Sequence, residues 1–289
     1  MRSGSIRQVS VPLGDVRFAY QPLINVRIGG VVGVEALACP PSGDLDELFR
    51  RAERDGMLAE VDARLAANAV ADFAGHGTPL PLHLNVLAST VADAPERMDA
   101  VRKALRDAGR LEQEVTLEIS PPLSGLGERL PAGVNTLRDF GFRIALDRVG
   151  GGEVPLELVA DLRPDVVKLD RRVLQLLPER LHRLTILDSV RQICEATGAR
   201  VVVEGVDSQE HLALLRHHGV ALGQGNLLAP AVRRPPENSW ASSAWVDTRD
   251  PAVPAIATRS AAGPLVTDFI TPATMLPIDV STDEVRQTF

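Results

Sequence analysis

Long apolar runs are missing from this chain. No stretch approaches the roughly 20 residues needed to cross a bilayer, and the opening MRSGSIRQVSVPLG lacks the apolar centre of a signal peptide. The expectation is a cytoplasmic protein without a membrane partner. Cysteine is scarce: Cys39 and Cys194 form no CxxC or other metal-binding spacing and are expected as reduced thiols. Aromatic residues make up 3% of the chain, too few for the stacking platforms of single-strand nucleic-acid binders. Positive charge is also in deficit. A net charge of -7 argues against a general grip on DNA, which needs a basic face, but leaves room for a small phosphorylated ligand. No GxGxxG or Walker-type loop is present. Of 31 basic Lys and Arg residues only Lys103 and Lys168 are lysines, so a lysine in this chain points to a chemical need.

What is there is a repeating pattern. Short β-rich runs recur as FAYQPL (18–23), VVGVEA (31–36), LPLHLNV (80–86), VTLEI (115–119), FRIALD (142–147), DVVKLD (165–170), RVVVEG (200–205) and VALGQG (220–225). Between them, stretches such as 59–74, 95–108, 180–198 and 208–217 carry apolar residues at helical spacing. About eight strand-helix units favour a parallel (β/α)8, TIM-like barrel over an open sheet. The barrel is expected over 15–235, after an N-terminal lead at 1–14. A Pro/Ala/Ser-rich linker follows at 236–262, and 263–289 resembles the opening of a CBS domain that continues beyond the chain.

Side chains alternate along a strand. On that basis His83 and Asn85, Thr116 and Glu118, Ala145 and Asp147, Lys168 and Asp170, and Val202 and Glu204 share inward faces, with Glu35 and Gln224 at equivalent late positions. Seven strands then end in an inward polar group, at the end where barrel enzymes build their sites. Several buried carboxylates close together require cations or protons. Glu35, Asn85, Glu118 and Asp147 offer the oxygen donors that Mg²⁺ or Mn²⁺ prefer. Lys168 can neutralise charge developing on a phosphoryl oxygen, its bland alternative being an ion pair with Asp170, and Glu204 can act as general base towards a water. His83 is expected as a buried, hydrogen-bonded histidine rather than a ligand.

These residues in this order resemble the EAL domain of cyclic di-GMP phosphodiesterases over nearly all of 15–235. The matching text is YQPLINVRIGGVVGVEAL, LHLNVLAS, VTLEIS, GFRIALDRVGGG, LRPDVVKLD, VVVEGVDSQEHLALLRHHG and GQGNLLAPA. The resemblance implies a TIM-like barrel with an irregular first strand, and metal-dependent opening of cyclic di-GMP to a linear dinucleotide. It implies that Glu35, Asn85, Glu118 and Asp147 bind metal, that Lys168 and Glu204 are catalytic, and that Gln21, Gln224 and Asp207 contact ligand or shape the site. By analogy it also implies a homodimer.

Departures from the family pattern are equally specific. The phosphate-holding arginine expected after Glu35 is Cys39; the second aspartate after Asp147, which helps hold a second metal, is Arg148; the glutamate expected three residues after Glu118 is Pro121; and Asp207 replaces a glutamate. The expectation is therefore a degenerate module with one metal site, Mg²⁺ or Mn²⁺, that binds cyclic di-GMP or a protein partner. The alternative is an active phosphodiesterase yielding pGpG.

Overall fold

The computed structural model describes residues 13–175 and 184–237. The expected linker and CBS-like segment lie, from residue 238 onwards, outside the described residues. Eight strands close into one barrel in the order β1 to β8. They are β1 (Arg17–Asn25), β2 (Gly30–Cys39), β3 (Leu82–Leu87), β4 (Val115–Ser120), β5 (Arg143–Val149), β6 (Val166–Leu169), β7 (Arg200–Val203) and β8 (Leu222–Gly223). All eight coincide with the expected runs.

The wall is not wholly parallel. β1 and β2 form an antiparallel hairpin with Gln21 opposite Glu35, and β1 meets β8 antiparallel only at Ile24 and Asn25. The expected TIM-like barrel is thus present, and the irregular first strand that the resemblance implied takes the form of a strand that runs antiparallel to its neighbours. The reason is local: only Val26–Gly29 separate β1 from β2, far too few for a crossover helix. Above Asn25 and Ile24 the seam is completed by the departing chain. Tyr20 N–H donates to Val232 O at 2.7 Å and Val232 N–H to Tyr20 O at 2.9 Å.

Helices cover the outside: α1 (Leu45–Arg54), α2 (Leu58–Ala74), α3 (Ala88–Asp93), α4 (Asp99–Asp107), α5 (Arg129–Asp139), α6 (Leu156–Leu162), α7 (Arg172–Gln175), α8 (Leu184–Thr197) and α9 (Gln209–His217). Among the described residues, α1 and α9 have side-chain caps. Asp44 accepts from Glu47 N–H, and Ser208 from His211 N–H, so orphan amides of the first turn are satisfied. The outward faces of the strands, among them Leu82, Leu84, Leu117 and Ile144, pack with helix residues such as Val61, Phe73, Val101 and Leu137 into the main core. No helix among the described residues is long and apolar enough to cross a membrane.

Inside the barrel the residues stack in layers drawn from alternate strands. Leu23, Ala145, Val166, Val202 and Leu222 form a separate apolar cluster along the axis. Registers of Glu118 with Ala145, and Ala145 with Val166, bring Lys168 of β6 level with Glu118 of β4 once strand tilt is included. One turn of pleat above the apolar layers, every inward residue is polar.

Asp62 ties α2 to this frame. It is 2% exposed and accepts Leu87 N–H at 2.9 Å, two residues beyond Asn85. Burial pushes its pKa up to about 6, against the partly compensating Leu87 N–H. The native state therefore holds this proton to higher pH than the unfolded chain, so the contribution is lost as pH rises from the ordinary 3.8 through about 6. Urea unfolding of Asp62→Asn beside wild type should show wild type losing ground over that window, by at most about 1.4 kcal/mol per pH unit; a pH-independent difference would contradict this.

Candidate active site

Lys168 is 1% exposed, and its ammonium sits where carboxylates from three other strands or strand ends converge. Nζ lies 2.7 Å from Glu35 Oε2, 2.8 Å from Glu118 Oε2 and 2.9 Å from Glu204 Oε1. The alternative pairing with Asp170 is not formed. Asp170 turns out of the shared face, accepting Arg172 N–H at 2.7 Å and pairing with that guanidinium at 2.8 Å.

Most of the remaining predicted residues surround this centre. Glu35 accepts from Asn85 Nδ2 at 2.7 Å and from Gln224 Nε2 at 2.9 Å. His83 Nδ1 lies 2.7 Å from Glu118 Oε1. Gln21 points along the rim, its Nε2 donating to Ala229 O at 3.4 Å. Asp207 stands apart from the cluster and accepts Asn226 N–H at 2.8 Å, fixing the loop after β8. Ser120 was missed from the sequence: its Oγ lies 3.3 Å from Asn85 Oδ1 and 3.4 Å from Asp147 Oδ2. Its spacing two residues after Glu118, on the same alternating face, is the signal that could have found it.

Charge in the cluster is unbalanced. Glu35, Glu118, Glu204 and Asp147 face a single buried ammonium. Burial raises Glu118 well above the usual carboxylate range, and the neighbouring Glu35 charge adds to it against Lys168. Burial likewise pushes Asp147 up to about 6 despite Lys168, and raises Glu204. Glu35 goes the other way. Burial opposes its charge, but Lys168 and the amide donors of Asn85 and Gln224 outweigh it and hold the carboxyl well below its usual range. Two carboxylates on one ammonium cannot be equivalent, and the one with more donors keeps the charge. Burial also disfavours the Lys168 charge, but the Glu118 and Glu35 carboxylates prevail and keep it protonated.

The side chains here are of the type that a hard divalent cation takes. Glu35, Asn85, Glu118 and Asp147 supply oxygens, and the carboxylate excess requires positive charge. Among the described residues, no group of three or more His, Cys, Asp or Glu side chains stands in a cation-ligand arrangement, because the carboxylates close on Lys168 instead.

Beside Asp147 stands Arg148, where the resemblance implied an aspartate. Arg148 adopts a positive φ of 55°, and its N–H donates to Asp147 Oδ1 at 2.8 Å. Aspartate or asparagine tolerates that conformation better than a long side chain does. The Arg148 Nε lies 3.7 Å from Asp147 Oδ2, so the exposed side of that carboxylate already faces a cation. Pro121 follows β4 as part of the Pro121–Pro122 pair, and Cys39 is exposed at the end of β2, its Sγ 3.5 Å from Leu37 O.

Replacing Lys168 with methionine leaves several carboxylates buried without a counter-charge. The Lys168→Met variant should unfold at lower urea, with a loss of about 3 to 5 kcal/mol. The loss should grow from pH 5 to pH 8, because carboxylates raised by burial take up protons that are lost as pH rises. Equal losses at both pH values would contradict the charge assignment.

Comparison with known proteins follows the same outline. The model of the EAL domain family matches residues 6–231. The cyclic di-GMP phosphodiesterase NbdA of Pseudomonas aeruginosa is 29% identical over 222 residues, covering 73% of this chain and 28% of that protein. The manganese and cyclic di-GMP complex of Klebsiella pneumoniae BlrP1 is 26% identical, with a TM-score of 0.68 over 79% of this chain and 59% of that one. The EAL domain of Mycobacterium smegmatis DcpA is 26% identical, with a TM-score of 0.62 over 75% of this chain and 93% of that one. The chain spans between 26% and 57% of the length of curated relatives it matches. With the matched region covering most of the barrel and every expected strand in place, this chain belongs to the EAL domain family.

Proposed function

We propose that this chain is a cytoplasmic EAL module of cyclic di-GMP signalling in which hydrolysis is impaired, and which responds by binding cyclic di-GMP or, in its place, a protein partner. The observation that carries the proposal is the Arg148 guanidinium on Asp147. A fixed positive charge there repels a divalent cation and removes the aspartate that the family pattern has at this position. Phosphodiester cleavage with two cations stabilises both the attacking and the leaving oxygen, and this chain offers donors for one. Cys39 in place of an arginine removes a charge-assisted phosphate contact of about 1.5 to 3 kcal/mol, which weakens ligand binding further.

The residues that remain would act as follows. Glu35, Asn85, Glu118 and Asp147 would hold one Mg²⁺ or Mn²⁺, which would supply positive charge against a phosphoryl oxygen. Lys168 would hold Glu35, Glu118 and Glu204 in register and add its own charge to that side. Glu204, 22% exposed at its side chain, is the member of the Lys168 cluster open to solvent and able to take a proton from water. Gln21 and Gln224 would line the ligand, and Asp207 would hold the loop that carries Asn226. The intact cluster around Lys168 favours a second reading, slow hydrolysis supported by a single cation.

Purified protein incubated with cyclic di-GMP and Mn²⁺ should release no linear dinucleotide at the roughly 1 s⁻¹ or more expected of a working enzyme. Turnover at that level would sink the proposal in favour of the second reading. Cys39→Arg combined with Arg148→Asp should restore product; continued silence would place the defect at Pro121. Calorimetry with cyclic di-GMP and Ca²⁺ should give heat that Glu35→Ala abolishes, and absence of heat from wild type would leave the protein partner as the occupant.

A further inference from the structure

His83 has no task in the function just described, yet it is built into the layer directly beneath the cation donors. It sits on β3 two residues before Asn85, 6% exposed, on the same inward face. Its Nδ1 lies 2.7 Å from Oε1 of Glu118, a carboxylate with no exposure at all. The other side of the ring rests on the β2 backbone. A Cβ placed on Gly33 would stand 3.5 Å from His83 Cδ2 and Nε2, so the glycine leaves the ring a close, flat seat. The rest of its layer is Leu23, Ala145 and Val202, which offer no hydrogen bond.

Glu118 is thereby held at both ends. Oε2 pairs with Lys168 at 2.8 Å and Oε1 with His83. A carboxylate bound at one oxygen can turn about its last torsion, whereas one bound at both has a single orientation. An apolar side chain at 83 would leave Oε1 buried without a partner and free the group to rotate towards Lys168.

We infer that His83 is a positioning residue whose Nδ1–H fixes the orientation of the Glu118 carboxylate, and so sets the cation affinity of the site. The inference rests on the proposed reading of Glu118 as a cation donor. It goes further in assigning a role to a residue outside the donor set, one that would act through Glu118 and without touching cation or ligand.

Two measurements on the full chain test it. In ¹⁵N-labelled protein, long-range ¹H–¹⁵N NMR should find His83 as the Nδ1–H tautomer; an Nε2–H tautomer would overturn the inference whatever the cation does. Calorimetry with Mn²⁺ should show His83→Leu binding about 10- to 100-fold more weakly than wild type. His83→Asn, whose amide reaches the Nδ1 position, should stay within a few-fold. Thermal melts establish that each variant is folded. Where His83→Leu does not fold, His83→Gln replaces it, since its longer amide reaches the Nε2 position and leaves Glu118 Oε1 bare; the same loss is expected. Wild-type affinity in the folded Leu or Gln variant overturns the inference while leaving the cation site standing. No Mn²⁺ binding by wild type, with the Nδ1–H tautomer present, overturns the cation reading of Glu118 and the positioning role with it.

Discussion

One buried ammonium organises the polar end of this barrel. Lys168 reaches the inward face of β6 and contacts carboxylates from β2, from β4 and from the end of β7. An isolated charge in such a place costs several kcal/mol, and so does each carboxylate. They persist together because the barrel closes with a register that puts all of them at one level. The same interaction leaves an imbalance, since four carboxylates outnumber the ammonium, and that imbalance is what makes the site receptive to a further positive charge. Protons can supply it, as the raised Glu118 and Asp147 indicate. A divalent cation can supply it with defined geometry.

A third source of charge is Arg148. It lies beside Asp147 near the end of β5 (Arg143–Val149), where its own backbone takes a positive φ of 55°. Its guanidinium, more than half exposed, pairs with Asp147 at 3.7 Å and adds positive charge from the solvent side. The Lys168 cluster and the Asp147 rim are therefore neutralised in different ways, one by a buried ammonium and the other by a guanidinium open to solvent. The interior closes on Lys168, whereas Cys39 and the Arg148 side chain lie at the exposed rim.

The closure of the wall bears on this ring as well. β1 bonds to β8 over only two residues, and above them the seam depends on Tyr20 and Val232. The departing chain is held further by Arg233 NH1 to Phe18 O at 3.0 Å and Thr78 Oγ1 to Pro236 O at 2.8 Å. Gln21 and Ala229 meet on the same seam. Val232 thus extends the barrel wall at this seam, and Arg233 and Pro236 hold the departing chain against it.

Strand runs, inward polar residues and family blocks were legible in the sequence because each depends on local spacing: alternation at period two, helical spacing between runs, and motif text. Alternation alone placed Glu35, Asn85, Glu118, Asp147, Lys168, Glu204 and Gln224 on inward faces. What it could not decide is which neighbours meet across the barrel, because that depends on register, strand tilt and the direction of β1. Lys168 therefore chose Glu35, Glu118 and Glu204 over the nearby Asp170, which turned to Arg172 where the strand ended. Ser120 joined Asn85 to Asp147, and His83 found Glu118, for the same reason. Sequence by itself determined the kinds of group in the ring and the departures at its rim; tertiary structure decided their partners, since only a closed barrel brings residues 133 positions apart within 2.7 Å.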